Sequence, residues 1–420
     1  MRNWNCQWVR AVFKHKTNLL FMKRLFMKRQ LLQHFVLICL FGFHAGAQLV
    51  KAPVGAGVAA AMKPWTEHAF ENKAFVENKG QFTGDCNQKK ERILYQADCD
   101  GVQIYFTSKG LSYRHDVKKE VAGEEVEGVA KVGESEDEES RSEDEKPVEY
   151  IPLLLHMEWK NANPSVQVSA TEQVDQTFNY PDLSTFQAIK TVTARGFKKI
   201  VYKELYPGID VEYSFDQGQG IKYSIVLRPG ADVSKIEMLY SGTENIGKDA
   251  EGNVLIGTGF GTITDHAPRS FYGLSGGVVA SSFLLKGSVV SFQLPAYDKS
   301  RTVVIDPWVS NPTFATLNKA YSLGCDAAGN IYICGSENPW KMEKFNSTGV
   351  SQWIYYNVGL TNNYGAFAVD AAGNSYFSVN NQGMIAVNTA GALVYTANAY
   401  AFVFSEPWSA CPGVLEEMVK

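Results

Sequence analysis

The segment Gly273-Leu-Ser275-Gly-Gly277 has the residue types of a serine-hydrolase nucleophile elbow. In that motif a serine between glycines lies on a sharp turn from a strand into a helix, where its hydroxyl is exposed for attack. The residues that follow here, VVASSFLLKGSVVSF, are rich in β-branched and aromatic types and predict strands. We therefore interpret the segment as a glycine-rich hairpin turn.

Carboxylates are the second group that could do chemistry, because two of them can act as acid and nucleophile on a glycosidic bond. Asp210 and Glu212 are two residues apart in an alternating segment. This spacing places them on one face of a strand with their Cβ atoms ~7 Å apart. A solvated strand face is the favoured interpretation, and a glycosidase-type pair assembled by the fold is the alternative.

Metal and cofactor motifs are sparse. H-E-x-x-H and C-x-x-C do not occur, and the four histidines after residue 47 share no metal-ligand spacing: His68, His115, His156 and His266. The stretch 55–60, GAGVAA, superficially fits the dinucleotide-binding fingerprint, but that motif needs a preceding strand and a following helix. The sequence therefore predicts no catalytic residue, no cofactor-binding residue, no metal ligand and no cofactor.

Cys86 and Cys99 are 13 residues apart and could close a short disulfide loop, which an oxidising compartment would permit. Cys39 and Cys6 lie in the amino-terminal segment that we expect to be removed. The Cys86–Cys99 pair is the disulfide that the sequence suggests.

Cys325 and Cys334 flank a turn at residues 326–330. The hairpin that this turn predicts places Cys325 opposite Ile331 and Cys334 opposite Ser322, with the two thiols on opposite faces. We therefore expect both to be small buried hydrophobic residues and not a disulfide.

Charge is distributed unevenly along the 420 residues, although the formal net charge is only −4. Residues 1–47 hold eight Lys or Arg and no acid, whereas residues 117–149 hold 13 acids against five bases. The remainder has no basic patch, so nucleic-acid binding is not expected. The acidic segment has few apolar residues to bury, which predicts a disordered insertion.

The amino terminus has the pattern of a secretory signal peptide. A basic cluster at 23–29 precedes an apolar run, Leu31–Phe43, and the small-residue cleavage site Ala45-Gly46-Ala47. A membrane-spanning helix is the alternative, but 13 apolar residues rise only about 20 Å, against a hydrocarbon core of about 30 Å. We predict a signal peptide over residues 1–47, with Met22 or Met27 as alternative starts, and a flexible leader over 48–70.

Short alternating segments separated by glycine turns follow the leader. The clearest hairpin spans Ile209–Leu227, in which apolar residues alternate with polar ones on both arms around Gly218-Gln-Gly220. Further strands are predicted at 92–97, 102–107, 111–116 and 150–159. The fold class is therefore all-β, with an antiparallel β-sandwich-like region over 71–310.

A repeat occupies the carboxyl-terminal part. DAAGNIYICG at 326–335 recurs as DAAGNSYFSV at 370–379, an offset of 44 residues, and NSTG recurs as NTAG at an offset of 42. Four short strands per 40–45 residues are typical of a propeller blade. We predict two incomplete-propeller repeats over 311–400, an atypical tail over 401–420 that indicates truncation, and structural turns built by Asp326, Gly329, Asn330, Asp370, Gly373 and Asn374.

Several segments together resemble the secreted Bacteroidota proteins that carry SBBP-type propeller repeats behind an amino-terminal domain of unknown function. The segments are FVENKGQF (75–82), YPGIDVEY (206–213), YSIVLRPGAD (223–232), VVIDPWV (303–309) and the two DAAGN repeats. The resemblance implies export, frequently with a sorting domain for type IX secretion, and brings no catalytic residues. This chain departs from the family in lacking that domain and most of the propeller, and in carrying the acidic insertion.

These observations predict an exported, non-catalytic β-rich protein that is secreted or resides at the cell surface. Adhesion, scaffolding or ligand binding through a propeller is the expected role, with an extracellular protein or glycan as the partner. No nucleic-acid partner and no stable membrane span after signal cleavage are expected. A secreted enzyme that degrades carbohydrate or another polymer is the alternative.

Overall fold

The computed structural model describes residues 70, 73–83, 91–118, 150–182, 190–216, 219–273, 276–312, 314, 319–336, 339–357, 364–379 and 383–397. The predicted signal peptide, nearly all of the leader, residues 119–149 of the acidic insertion and the tail lie outside the described residues. The chain divides into two units, 1–61 and 62–420, and every described residue belongs to the second. No helix in this described part is long and apolar enough to cross a membrane.

The described residues form 27 strands and a short 3-10 helix at Val233–Lys235, which confirms the all-β prediction. The strands are β1 (Phe75–Glu77), β2 (Tyr95–Cys99), β3 (Val102–Phe106), β4 (Gly110–Lys118), β5 (Tyr150–Trp159), β6 (Gln167–Asp182), β7 (Lys190–Tyr206), β8 (Ile209–Asp216), β9 (Gln219–Leu227), β10 (Glu237–Ser241), β11 (Asn245–Lys248), β12 (Val254–Thr258), β13 (Gly261–Asp265) and β14 (Arg269–Tyr272). They continue with β15 (Val278–Val279), β16 (Ser282–Lys286), β17 (Val289–Gln293), β18 (Val303–Asp306), β19 (Val309–Ser310), β20 (Ala320–Cys325), β21 (Ile331–Gly335), β22 (Trp340–Phe345), β23 (Ser351–Asn357), β24 (Tyr364–Val369), β25 (Ser375–Val379), β26 (Gly383–Val387) and β27 (Leu393–Ala397).

The β8–β9 hairpin has the register that its alternating sequence predicted. Ile209 pairs with Leu227, Val211 with Ile225 and Tyr213 with Tyr223. All six of these side chains are buried, because residues two apart on a strand point to the same face. The hairpin thus supplies one wall of the core.

One sheet contains 19 strands and curls into an antiparallel half-barrel. The 17-residue strand β7 organises it, because β6 pairs along one edge of β7 while β1 and β8 pair along the other. The pairing of β6 with β23 is parallel and joins the amino-terminal strands to the repeats.

A four-stranded sheet of β11, β12, β13 and β19 faces the large sheet. Val254, Ile256 and Ile263 of this small sheet belong to the same hydrophobic cluster as the β8–β9 hairpin. The sequence predicted two sandwich-like sheets, and the structure has instead a half-barrel that packs against a small sheet. Alternation within a strand specifies a buried face, but it does not specify how many strands join on each side.

Each predicted repeat forms a four-stranded antiparallel meander. We call β20–β23 the first meander and β24–β27 the second meander. Their registers correspond strand by strand, since Ile333 faces Glu343 in the first as Phe377 faces Ile385 in the second. No closed propeller is present among the described residues.

Candidate functional site

The turn at 326–330 is held by the carboxylate of Asp326. Oδ1 accepts hydrogen bonds from the backbone N–H groups of Ala328 (2.9 Å) and Asn330 (3.0 Å). Oδ2 accepts from Asn330 Nδ2 at 2.7 Å and from Tyr332 Oη at 3.0 Å. Gly329 has φ +77°, a conformation that costs a glycine little. The aspartate thus closes the hairpin through its own side chain.

The second turn, at 370–374, repeats this geometry. Asp370 Oδ1 accepts from the backbone N–H of Asn374 at 2.8 Å, and Oδ2 accepts from Asn374 Nδ2 at 2.8 Å and from Tyr376 Oη at 3.2 Å. Gly373 has φ +93°. The two turns are therefore chemically equivalent.

Three further turns have the same construction, of which the repeat marked the two at Asn346 and Asn388 but not the one at Asp249. Asp249 accepts from the backbone and side-chain amides of Asn253 at 2.8 and 2.7 Å. Asn346 and Asn388 accept from the backbone N–H four residues on, each at 2.9 Å. The signal that could have found the Asp249 turn is an Asp or Asn followed three residues later by Gly.

The carboxylate oxygens of Asp326 and Asp370 accept hydrogen bonds from their own turns. Burial opposes ionisation of Asp326, but the hydrogen bonds from Asn330, Tyr332 and Ala328 outweigh it and hold the pKa of Asp326 below its usual range. No group of three or more His, Cys, Asp or Glu residues within the described ranges is arranged to hold a metal ion. The hydrogen bonds of the Asp326 carboxylate are made within its own hairpin turn.

The second meander packs on one face of the first. Trp340 and Phe377 lie with ring centroids 4.3 Å apart, and the backbone N–H of Ala327 donates to the carbonyl of Ala371 at 3.1 Å. The Trp353 indole N–H donates to the carbonyl of Thr389 at 3.0 Å. Aromatic packing and directed hydrogen bonds together fix the stacking of the two meanders.

The opposite face of the first meander packs on the amino-terminal strands of the large sheet. Lys341 Nζ lies 2.6 Å from Asp98 Oδ2, and both side chains are almost fully buried. The rings of Tyr180 and Tyr356 stack at 4.8 Å with planes 7° apart. This face joins β22 and β23 to β2 and β6, and sequence analysis singled out neither Asp98 nor Lys341.

Asp265 is a buried carboxylate beside the Tyr223 hydroxyl. It is fully buried on β13, and its Oδ2 accepts a 2.7 Å hydrogen bond from Tyr223 Oη. Its Oδ1 has no hydrogen-bond partner among the described residues. Burial raises the pKa of Asp265 to about 8, and the Tyr223 hydrogen bond only partly opposes this shift. A strongly shifted buried acid is a candidate functional group.

A cavity of about 10 Å³ lies among the tyrosines near Asp265. Tyr113, Tyr213, Tyr223 and Tyr240 line it, together with apolar side chains. This volume corresponds to about one water molecule. The cluster can therefore hold a proton and a water, but it has no room for a substrate.

The carboxylate pair considered from sequence lies on β8. Asp210 forms an ion pair with Arg228 and accepts a 2.7 Å hydrogen bond from the backbone N–H of Glu204. Glu212 faces Ser224 across the hairpin. Because Arg228 also binds Glu204, Asp210 belongs to an ion-pair network that fastens the β7–β8 turn.

The three histidines within the described ranges have separate contacts. His156 is buried with Nδ1 2.9 Å from Ser112 Oγ, His115 stacks on Phe314 at 3.9 Å, and His266 stacks on Trp308 at 3.4 Å. His68 and Ser275 lie outside the described residues. The strands that flank Ser275, β14 and β15, pair antiparallel, as the hairpin interpretation predicted.

The cysteine predictions have mixed outcomes. The register of Cys325 opposite Ile331 and Cys334 opposite Ser322 is confirmed. Cys334 is buried, but the expected burial of Cys325 is wrong, because the β20 face that carries it is uncovered. Cys99 is buried, and Cys86 lies outside the described residues, so their disulfide stays a prediction.

Comparison with known proteins identifies the amino-terminal part of the described structure. A family model for a domain of unknown function, DUF7948, matches residues 75–308, more than half of the chain. No model of a propeller or SBBP-type repeat matches, and no curated protein matches the chain. The matched range begins at β1 and ends just after β18, so it includes 15 of the 19 strands of the large sheet, all but β20–β23, and three of the four strands of the small sheet. The chain belongs to the DUF7948 domain family.

Proposed function

We propose that this protein is exported, is not an enzyme, and serves adhesion, scaffolding or ligand binding outside the cell through propeller-type repeats. In this proposal the region 71–310 is the sandwich-like domain and the meanders are the first blades of an SBBP-type propeller. An extracellular protein or glycan is the partner. The signal-peptide pattern at 23–47 supports export.

The proposal depends most on one observation: the second meander stacks on a face of the first, and the second meander has an equivalent face of its own. Gly324 and Tyr332 of the first meander lie under the second, where Gly324 approaches Val369. Ala368 and Tyr376 hold the equivalent positions in the second meander, by register. That face is only partly buried, so a further meander could stack on it as the second stacks on the first. Such open-ended stacking is the geometry from which propellers are built.

The positions of the acids favour binding over catalysis. Asp265 is fully buried against Tyr223, which lines a cavity of about one water, and Asp210 is bound by Arg228. Neither is placed as the exposed acid and nucleophile that glycoside hydrolysis requires.

A panel of glycans and extracellular proteins tests this role on the full chain. We expect saturable binding of at least one member without any turnover. Turnover that Asp210→Asn or Glu212→Gln abolishes would overturn the proposal and support a polymer-degrading enzyme.

Amino-terminal sequencing tests export. We expect the secreted chain to begin at Gln48, and we expect Ala47→Arg to block this cleavage. A chain that stays inside the cell with residues 1–47 intact would contradict export.

A further inference from the structure

The first meander has one face packed on the second meander and an opposite face that points away from it. On this opposite face the first meander carries charged residues where the second meander does not. The equivalent face of the second meander lies against the first and is apolar, with Ile385 at 3% exposure. The register makes Glu343 the counterpart of Ile385 and Lys341 the counterpart of Gly383. A strand that contacted another meander there would bury two charges against apolar residues, which is costly. The first meander is therefore built for a different neighbour.

Asp98 of the DUF7948 domain supplies the countercharge for Lys341. The two side chains are 4% and 8% exposed, with Nζ and Oδ2 2.6 Å apart. The Lys341 ammonium also lies 5.9 Å from the centre of the Tyr356 ring. A buried ion pair requires both partners, because removing one leaves an uncompensated buried charge. The pair thus specifies which surface the first meander accepts.

Glu343 is fully buried and is bound from both sides. One carboxylate oxygen accepts a 2.8 Å hydrogen bond from the backbone N–H of Phe70, and the other accepts from Ser351 Oγ at 2.7 Å. The Phe70 ring packs in a cluster with Ile333 and Phe345. Phe70, five positions before the DUF7948 range, therefore covers the part of this face that carries Glu343.

Backbone pairing continues the contact to the edge of the meander. Trp353–Tyr355 of β23 pair in parallel with Thr177–Asn179 of β6. The second meander touches the same domain, because the N–H of Leu393 donates to Thr191 Oγ1 at 2.8 Å. An unpaired outer strand is an aggregation hazard, and this pairing removes it.

We propose that the DUF7948 domain, together with Phe70, is the cap of the repeat array. It occupies the position that a preceding meander would hold, and Lys341 and Glu343 mark the first meander as the one that docks on it. Terminal units of repeat proteins need such a cover for their outer face. This role deepens the proposed function, because it assigns the domain of unknown function a task in building the binding array.

Hydrogen exchange on the full chain tests the cap. Lys341→Met leaves Asp98 buried without its countercharge, so we expect at least tenfold faster exchange in residues 340–357 and unchanged exchange in the 209–227 hairpin. The double variant Asp98→Leu/Lys341→Met removes both charges and should restore most of the protection. Lys199→Met, in the exposed Lys199–Glu172 pair, is the matched control and should change neither segment.

Two outcomes would overturn the cap. Equal acceleration of both segments would mean that the ion pair supports the whole fold, and no change in 340–357 would mean that it does not hold the meander. If Lys341→Met does not fold, Asp98→Asn makes the same comparison with a neutral partner of the same size. None of these readouts involves ligand binding, so failure of the cap and failure of the proposed function are separate results.

Discussion

The hydroxyls of Tyr332 and Tyr376, which occupy equivalent positions 44 residues apart, each donate to the aspartate of their own turn, at 3.0 Å and 3.2 Å. Tyr332 is fully buried beneath the second meander, whereas Tyr376 is only partly buried. The same local unit therefore exists in a stacked and in an uncovered environment. Matched substitutions in the two units separate the energy of the turn from the energy of stacking.

The glycines of the two turns make the first such comparison. Alanine at Gly329 would meet only the Ser347 side chain, at 3.6 Å, so its cost is the left-handed backbone, about 1 kcal/mol. Alanine at Gly373 would also press on Tyr332 Oη and come within 2.9 Å of Asp326 Oδ2. We expect Gly373→Ala to lower the free energy of unfolding by about 1–3 kcal/mol more than Gly329→Ala, because it overpacks the contact between meanders. Equal losses in urea denaturation would show that the stacking does not depend on this contact.

The carboxylate of Asp326 makes the second comparison. Asp326→Ala leaves the buried Tyr332 hydroxyl without its acceptor, so we expect a loss of about 2–3 kcal/mol in unfolding free energy. Asp326→Asn/Asn330→Val recreates the pattern of the turn at 346–350, in which Asn346 accepts the N–H of Val350 at 2.9 Å. This double variant should retain more stability than Asp326→Ala in the same urea titration. A double variant no better than Asp326→Ala would contradict the role assigned to the turn.

The local parts of this structure were predictable from sequence because they obey local rules. The β8–β9 hairpin follows from strict alternation on both arms, and the Cys325–Ile331 register follows from the length of the turn between them. The Asp249 turn obeys the same rule but escaped notice, because it occurs once in the DUF7948 domain and not at the repeat spacing. A search for the turn chemistry alone would have found it.

Asp265 gives a pH dependence with a defined sign. Its pKa in the folded state, about 8, lies above the ordinary aspartate value near 4. Between about pH 4 and pH 8 the native state therefore keeps a proton on Asp265 that the unfolded state has lost. Stability from this group is complete below about pH 4 and is lost as the pH rises towards about 8. Since one pKa unit corresponds to about 1.4 kcal/mol, we expect a loss of several kcal/mol.

Asp265→Asn isolates this contribution, because it removes the titration while keeping the size of the side chain. The difference in unfolding free energy between the natural chain and Asp265→Asn should fall steadily from pH 4 to pH 8 and then level off. A difference that stays constant over this range would show that Asp265 is ionised in the folded protein.

Glu77 gives the opposite pH dependence. Hydrogen bonds from the Arg195 guanidinium, to which the Arg195 backbone N–H and Lys79 add, lower the pKa of Glu77 to about 2 against the opposing effect of burial. Its stabilisation is therefore present above the ordinary glutamate pKa, about 4.3, and is lost as the pH falls towards 2. Arg195 is half exposed, so we expect Glu77→Gln to cost only about 1 kcal/mol at pH 7, and less in high salt. An equal cost at pH 7 and at pH 2.5 would rule out this ion pair as the source.

The non-local parts could not be predicted. Lys341 and Glu343 are charged residues on one strand, and from sequence such a pattern indicates a solvated face. In the structure this face is buried, because Asp98 contacts Lys341 and the backbone of Phe70 contacts Glu343. Asp98 is 243 positions before Lys341, and the parallel pairing of β6 with β23 is equally remote. The residue patterns of β6 and β23 do not indicate that the two strands pair, because any edge strand presents the same backbone N–H and C=O groups.

Cooperative unfolding is the most direct consequence of a repeat array docked on the DUF7948 domain. Pulsed hydrogen exchange along a guanidinium titration of the full chain reports on each segment separately. We predict that residues 209–227 of the domain and 340–357 of the first meander lose protection at the same denaturant concentration in the natural chain, in which the meander is docked, and that 340–357 loses protection first in Lys341→Met, in which the docking is broken. Loss of protection in 340–357 well before 209–227 would contradict a docked array, because it would show that the meander unfolds while the domain beneath it stays intact.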